Sequence, residues 1–209
     1  MAMGLAADSG RAAPGRAERL SPSLPFDDRI DPEDADALVR IAGGDTGALH
    51  TAFVRHWEAV ARAALRIAGD VDDARDAAQE AFIRLHARPP SADTPLRAWL
   101  CRVATNEAVN ALRSGRRRVA REARHLASAD AAATDDIAGA NLRAERELVR
   151  ETLLALPARA RELLVLRAEG YRYFEIATVI GVAPGSVGTL LARAETAFRE
   201  GYEARRGGA

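Results

Sequence analysis

The chain has no lysine, a single cysteine and few aromatic residues, and each shortage excludes something. With lysine absent, all 30 basic side chains are arginine, and 30 acidic residues cancel them. The net charge of zero therefore offers no global attraction for nucleic acid, and any such attraction must be local. One cysteine, Cys101, excludes an internal disulfide framework. No apolar run reaches the roughly 18 residues of a membrane-spanning helix. The first 35 residues hold Arg11, Arg16, Arg19 and several prolines but no apolar stretch of the kind a secretory signal needs. A cytoplasmic protein without membrane insertion is the expectation.

What is abundant is alanine, leucine and arginine, residues that lose little rotamer freedom in a helix. The composition predicts an all-α protein, and 48% apolar residues over 209 positions suffice for one large core or two small ones. Residues 1–33 show no apolar period and read as a tail. Helical patterning then runs from Asp34 through "DADALVRIAGG", "DTGALHTAFVRHWEAVARAALRIAG" and "DVDDARDAAQEAFIRLHA", each of the first two stopped by glycine. The third opens with Asp70, Asp72 and Asp73 at the positive end of its dipole and leaves Asp76, Gln79, Glu80 and Arg84 facing outward. A fourth helix is expected to start with Thr94 as N-cap and Pro95 at its first position, and to continue through "LRAWLCRVATNEAVNALR". Residues 121–140 lose the period and become Ala-rich and mildly acidic, as a linker would. Two helical domains follow from this, at 34–120 and 141–205.

Two stretches carry functional chemistry. In "YRYFEIATVIGVAPGSVGTLLARAE", Ala177 permits close helix approach, Gly181 supplies a left-handed turn four residues later, and Val187 plugs the shared core. That spacing is a helix-turn-helix, although a generic helical hairpin also accommodates it. The second helix of such a pair enters the major groove, yet none of Arg, Lys, Asn or Gln occurs from Pro184 to Ala192. Ser186, Thr189 and Arg193 remain, and they suit phosphate better than base edges. The other stretch is residues 113–124, with six arginines against one glutamate, including Arg113, Arg116, Arg117 and Arg118. A solvated helix end explains such a run equally well, but the helix before it carries Trp99, Asn106 and Asn110. Cation, stacking plane and amide together are what a single strand of nucleic acid requires.

Catalysis finds little support. His50 and His56 do not share a helix face, His86 and His125 lack Cys or carboxylate companions, and Cys101 has no base beside it and reads as a buried thiol. No phosphate-binding glycine loop is present, and neither a cofactor nor a metal is expected.

With these motifs in order, the chain resembles the extracytoplasmic-function branch of the sigma-70 family, the bacterial RNA polymerase sigma factors. "DDARDAAQEAFIRLHA" is similar to the family's region 2.2, "LRAWLCRVATNEAVNALRSGRRR" to regions 2.3 and 2.4, and residues 142–200 to region 4. The resemblance implies a monomeric promoter-specificity subunit that binds polymerase core through its β′ and β subunits. Asp76, Gln79, Glu80 and Arg84 would contact core. Trp99, Asn106, Asn110, Arg113 and Arg116 to Arg118 would open the −10 element, with the loop from Arg88 to Asp93 selecting a flipped base. Ser186, Thr189 and Arg193 would touch −35 DNA, where Gly188, Leu190 and Glu195 stand in place of the family's usual basic residues. The linker, with Asp130, Asp135 and Asp136, would follow the RNA exit path, and an anti-sigma factor is an expected partner. A stand-alone helix-turn-helix regulator, or a sigma-like protein that occupies polymerase without initiating, are the alternatives.

Overall fold

In the computed structural model, residues 30–114 and 137–207 are described, and among them every regular element is an α-helix. The N-terminal bundle holds α1 (Pro32–Ala42), α2 (Thr46–Ala68), α3 (Val71–Ala87) and α4 (Leu96–Arg113). The C-terminal bundle holds α5 (Ile137–Ala155), α6 (Ala158–Ala168), α7 (Tyr173–Ile180) and α8 (Pro184–Arg206). Arg116 to Arg118 and the acidic linker lie outside the described residues.

Local chemistry sets most helix ends. Asp31 caps α1 by accepting from the Glu33 N–H at 3.0 Å, so this helix begins at Pro32, before the expected Asp34. Asp70 caps α3, accepting from the N–H groups of Asp72 and Asp73 at 3.0 and 2.9 Å. The expected cap of α4 is displaced by one residue. Pro95 occupies the cap position with no side-chain hydrogen bond, and α4 starts at Leu96. Thr94 instead turns inward, 8% exposed, with its hydroxyl 3.3 Å from Ser91 Oγ, so that it orders the preceding loop and leaves the helix end alone.

The N-terminal core is built on alanine. Ala63, Ala64, Ala78, Ala81, Ala98 and Ala104 are fully buried where α2, α3 and α4 meet, which lets the three backbones approach closely. Val60, Ile67, Leu85, Leu96 and Leu100 fill the remaining space, each worth about 1.5–3 kcal/mol of transfer free energy. α1 is tied on by polar contacts: buried Asp34 lies 2.8 Å from His56 Nε2 and accepts from Arg55 Nη1 at 3.1 Å. His56 is thus structural, away from any outward site.

The two bundles do not stand apart. α4 packs against both α6 and α7, α2 against α5 and α6, and the apolar core is continuous from Leu38 to Leu191. Tyr171, in the loop before α7, is 4% exposed and meets Cys101 of α4, with 3.2 Å between hydroxyl and thiol. Cys101 also points at the Ala59 carbonyl at 3.6 Å, so the buried thiol expected from the sequence is part of a seam between bundles.

Candidate nucleic-acid interface

The central element is α4. Trp99, Arg102, Asn106, Asn110 and Arg113 recur at intervals of three or four and so form one stripe along it. Asn110 and Arg113 are exposed, Trp99 is half-buried against the core, and Asn106 is half-buried with its amide pointing across the seam. Asn106 Nδ2 donates to Glu162 Oε1 of α6 at 2.8 Å. Arg102 Nε donates to the other oxygen of that carboxylate at 2.9 Å, and its Nη1 to the Val179 carbonyl at 2.7 Å. Arg102 was not among the residues singled out from the sequence. Its place between Trp99 and Asn106 on one helix face was the available signal.

Burial governs the titration of the seam. It pushes the Cys101 thiol from its ordinary 9.0 up to about 11 against the lowering hydrogen bond from Tyr171, and it pushes the Tyr171 phenol up as well, there reinforced by the neighbouring thiol. The folded form therefore prefers the neutral thiol. The stability this preference confers is complete below pH 9 and is lost as pH rises through about 11. Urea midpoints measured from pH 8 to 11 should fall over that window, and Cys101→Ala should make the fall shallower; an equal slope in both proteins would remove Cys101 from the account.

A second surface lies on α3. Asp76, Gln79 and Arg84 are exposed and Glu80 is half-buried, which is the outward face expected from the sequence. Arg84 reaches Glu107 of α4 at 2.5 Å. Beside this face an open cavity of about 500 Å³ runs between α2 and α3, lined by Leu49, Phe53, Gln79, Phe82, Ile83 and His86 among others. Of its lining residues, Phe53 and Phe82 meet at a tilt of 58° with ring centroids 4.9 Å apart, and Ile83 is 58% exposed.

The third surface is the α7–α8 pair, whose axes are bent by 90°. Gly181 has φ +72°, a left-handed conformation that closes α7 through hydrogen bonds from the N–H groups of Gly181 and Val182 to the Ala177 carbonyl at 2.9 and 3.0 Å. Ala177 and Val187 are buried at 2% and 0%, as their spacing implied. Ser186, Thr189 and Arg193 are all exposed on α8, together with Gly185 and Ala192. Gly188 lies beneath the Tyr173 ring, which a Cβ would touch at 3.5 Å. Among the described residues no group of His, Cys, Asp and Glu is arranged to hold a metal ion, and no single helix is long and apolar enough to cross a membrane.

Residues 52–118 match the family model described as sigma-70 region 2, and residues 146–198 match sigma-70, region 4. RNA polymerase sigma-H factor from Pseudomonas aeruginosa is 32% identical over 177 residues, which cover 79% of this chain and 92% of that protein. ECF RNA polymerase sigma factor SigL from Mycobacterium tuberculosis is 30% identical over 170 residues, 78% of this chain and 94% of the relative. The chain belongs to the extracytoplasmic-function sigma factors. The fold agrees, since the structure of CnrH in complex with the cytosolic domain of CnrY superposes with a TM-score of 0.56 at 26% identity, covering 82% of this chain and 98% of CnrH. A sigma factor of this family directs RNA polymerase to promoters and is not an enzyme. The region 2 match takes in most of α2 with all of α3 and α4, and the region 4 match runs from within α5 to within α8.

Proposed function

We propose that this sigma factor docks on the β′ subunit of polymerase core through α3 and holds the opened −10 strand on α4. The observation that carries this is the α4 stripe: Trp99 provides a ring plane, Asn106 and Asn110 provide amides, and Arg102 and Arg113 provide cations on one helix face. Unpairing a base costs a few kcal/mol, which stacking and amide contacts to one extruded base offset once core holds the duplex in place. Arg116 to Arg118, which follow α4 in the sequence, would serve as phosphate contacts, and the Arg88–Asp93 loop would border the base. The cavity between α2 and α3 supports the docking face, since an apolar groove that includes Gln79 in its lining suits the apolar side of a partner helix.

On α8, Ser186, Thr189 and Arg193 would position the protein on upstream −35 DNA through backbone phosphates, because no side chain at the start of this helix can read a base bidentately. The free protein is proposed to be a monomer that acts in the cytoplasm with polymerase. CnrH was captured with a cytosolic partner domain, which supports an anti-sigma factor as a partner here too.

The docking face is tested by Gln79→Ala with Glu80→Ala. Both side chains leave the core untouched, so the expected result is an unchanged thermal midpoint with affinity for polymerase core reduced about tenfold or more, as loss of two interfacial contacts implies. Unchanged affinity in a core pull-down titration would remove α3 from the interface.

A further inference from the structure

α3 packs against α2 and α4, and the groove it forms with α2 opens to solvent. Leu49, Phe53, Phe82 and Ile83 give that groove an apolar lining, with His50 and His86 among its polar members. An open apolar surface of this kind marks a place where something binds. The chain delivers a candidate to it. Residues 1–29 enter α1 where Asp31 accepts from Arg55 Nη2 of α2 at 2.6 Å and Asp34 lies 2.8 Å from His56 Nε2. Arg55 follows Phe53 by less than one helical turn, so the entering chain stands at the Phe53 end of the groove. From Ile30 back to Phe26 an extended chain spans up to about 13 Å. That matches the roughly 10–12 Å diameter of a helix with its side chains, so Phe26 can reach around α2.

The chemistry of the entering segment fits the groove. Phe26 is the one aromatic residue ahead of Phe53, and it stands in Leu24-Pro25-Phe26 with Asp27 and Asp28 directly after it. Apolar side chains of that size in a stretch rich in Ala, Gly, Pro and Arg gain from burial against a surface outside the stretch. Pro22 and Pro25 fix φ, which reduces the entropy lost on docking. Asp27 and Asp28 are acceptors for the ring N–H groups of His50 and His86, both of them exposed. A short tether also supplies an effective concentration of about millimolar, so even a weak contact is occupied. We propose that Leu24 and Phe26 of this chain's own N-terminal segment occupy the α2–α3 groove, with Phe26 against Phe53 and Phe82. The segment must then leave before a partner helix can use the groove. That consequence alone rests on the docking to core proposed above.

The test uses the full-length protein with p-benzoylphenylalanine in place of Phe26, irradiated in dilute solution and digested for mass spectrometry. Crosslinks within one chain to residues 46–53 or 79–86 are the expected result. Ile83→Asp changes an exposed position of the groove and leaves the core alone, so the protein stays folded while the crosslink yield falls about tenfold or more, the effect of losing one large apolar contact. Crosslinks confined to other parts of the chain, or a yield indifferent to Ile83→Asp, overturn the proposal. Crosslinks formed only between two chains also overturn it, because the groove then takes a second copy's segment. Core polymerase supplies the other measurement. Leu24→Ser with Phe26→Ser should raise the affinity for core about threefold to tenfold, since a groove that is open only part of the time lowers the apparent affinity by that fraction. The expected crosslinks with an unchanged core affinity would keep the segment in the groove and remove the groove from the core-docking face.

Discussion

Asn106→Ala lowers the rate of promoter opening by reconstituted holoenzyme about tenfold to a hundredfold, the 1–3 kcal/mol that a good amide contact to a base edge is worth. Affinity for core polymerase stays within a factor of two or so, because Asn106 lies on α4 and the proposed docking face lies on α3. The substitution also removes the hydrogen bond to Glu162, which favours separation of the bundles. That gain is the smaller effect, since Arg102 keeps its own bond to Glu162 and to the Val179 carbonyl. Strand opening followed by a fluorescent base beside the −10 element, together with a core-binding titration, separates the two. Equal losses in both measurements would mean that Asn106 matters only for the fold.

Leu100→Ala has the largest effect on stability, a loss of about 2–5 kcal/mol. Leu100 is fully buried in the middle of α4, the helix that packs against α2, α3, α6 and α7. The core it belongs to is rich in buried alanines such as Ala63, Ala98 and Ala104, which are too small to fill a cavity by repacking, and this puts the expected value in the upper half of that range. For a protein of this size each kcal/mol shifts the midpoint by about 2–4 °C, so scanning calorimetry should register a drop of roughly 10 °C. Val39→Ala makes the contrast, because Val39 is 61% exposed and its truncation should fall within about 0.5 kcal/mol of zero. A similar small change for Leu100→Ala would contradict the packing described for α4.

Reading the sequence reached the helices, the helix-turn-helix and the outward face of α3 because each is written in local spacing. Ala177, Gly181 and Val187 fix a turn within eleven residues, and Asp70 with its followers marks a helix start by its own chemistry. The seam was not legible, since Asn106 and Glu162 are 56 residues apart and Cys101 and Tyr171 are 70 apart. Periodicity says which side of a helix is apolar but not which other helix covers a polar group on its border. Glu162, between Arg161 and Leu163, looks from sequence like any charged residue on a solvated face. Arg161 shows the same limit from the opposite side. It is 1% exposed and bonded to the Leu154 and Leu156 carbonyls at the end of α5, and burial and then the nearby Arg113 depress its pKa. Thr94 was misplaced by one residue because a cap and a loop contact are equally good uses of a hydroxyl before proline.

The recognition helix, described above for the side chains it lacks, is also a helix anchored at one end. Gly185 and Gly188 each cost about 1 kcal/mol of helix propensity relative to alanine, and both fall in the first five residues of α8. The remainder of this helix is pinned by Leu191 and Ala194 and then lies along α5, where a Cβ at Gly201 would lie 3.4 Å from the Thr152 methyl. Its tip, proposed above to face upstream DNA, should therefore have amide protons that exchange early. If the proposed −35 contact holds, a phosphate placed at that tip would meet N–H groups of the first turn, and steadying of that turn would be part of binding upstream DNA.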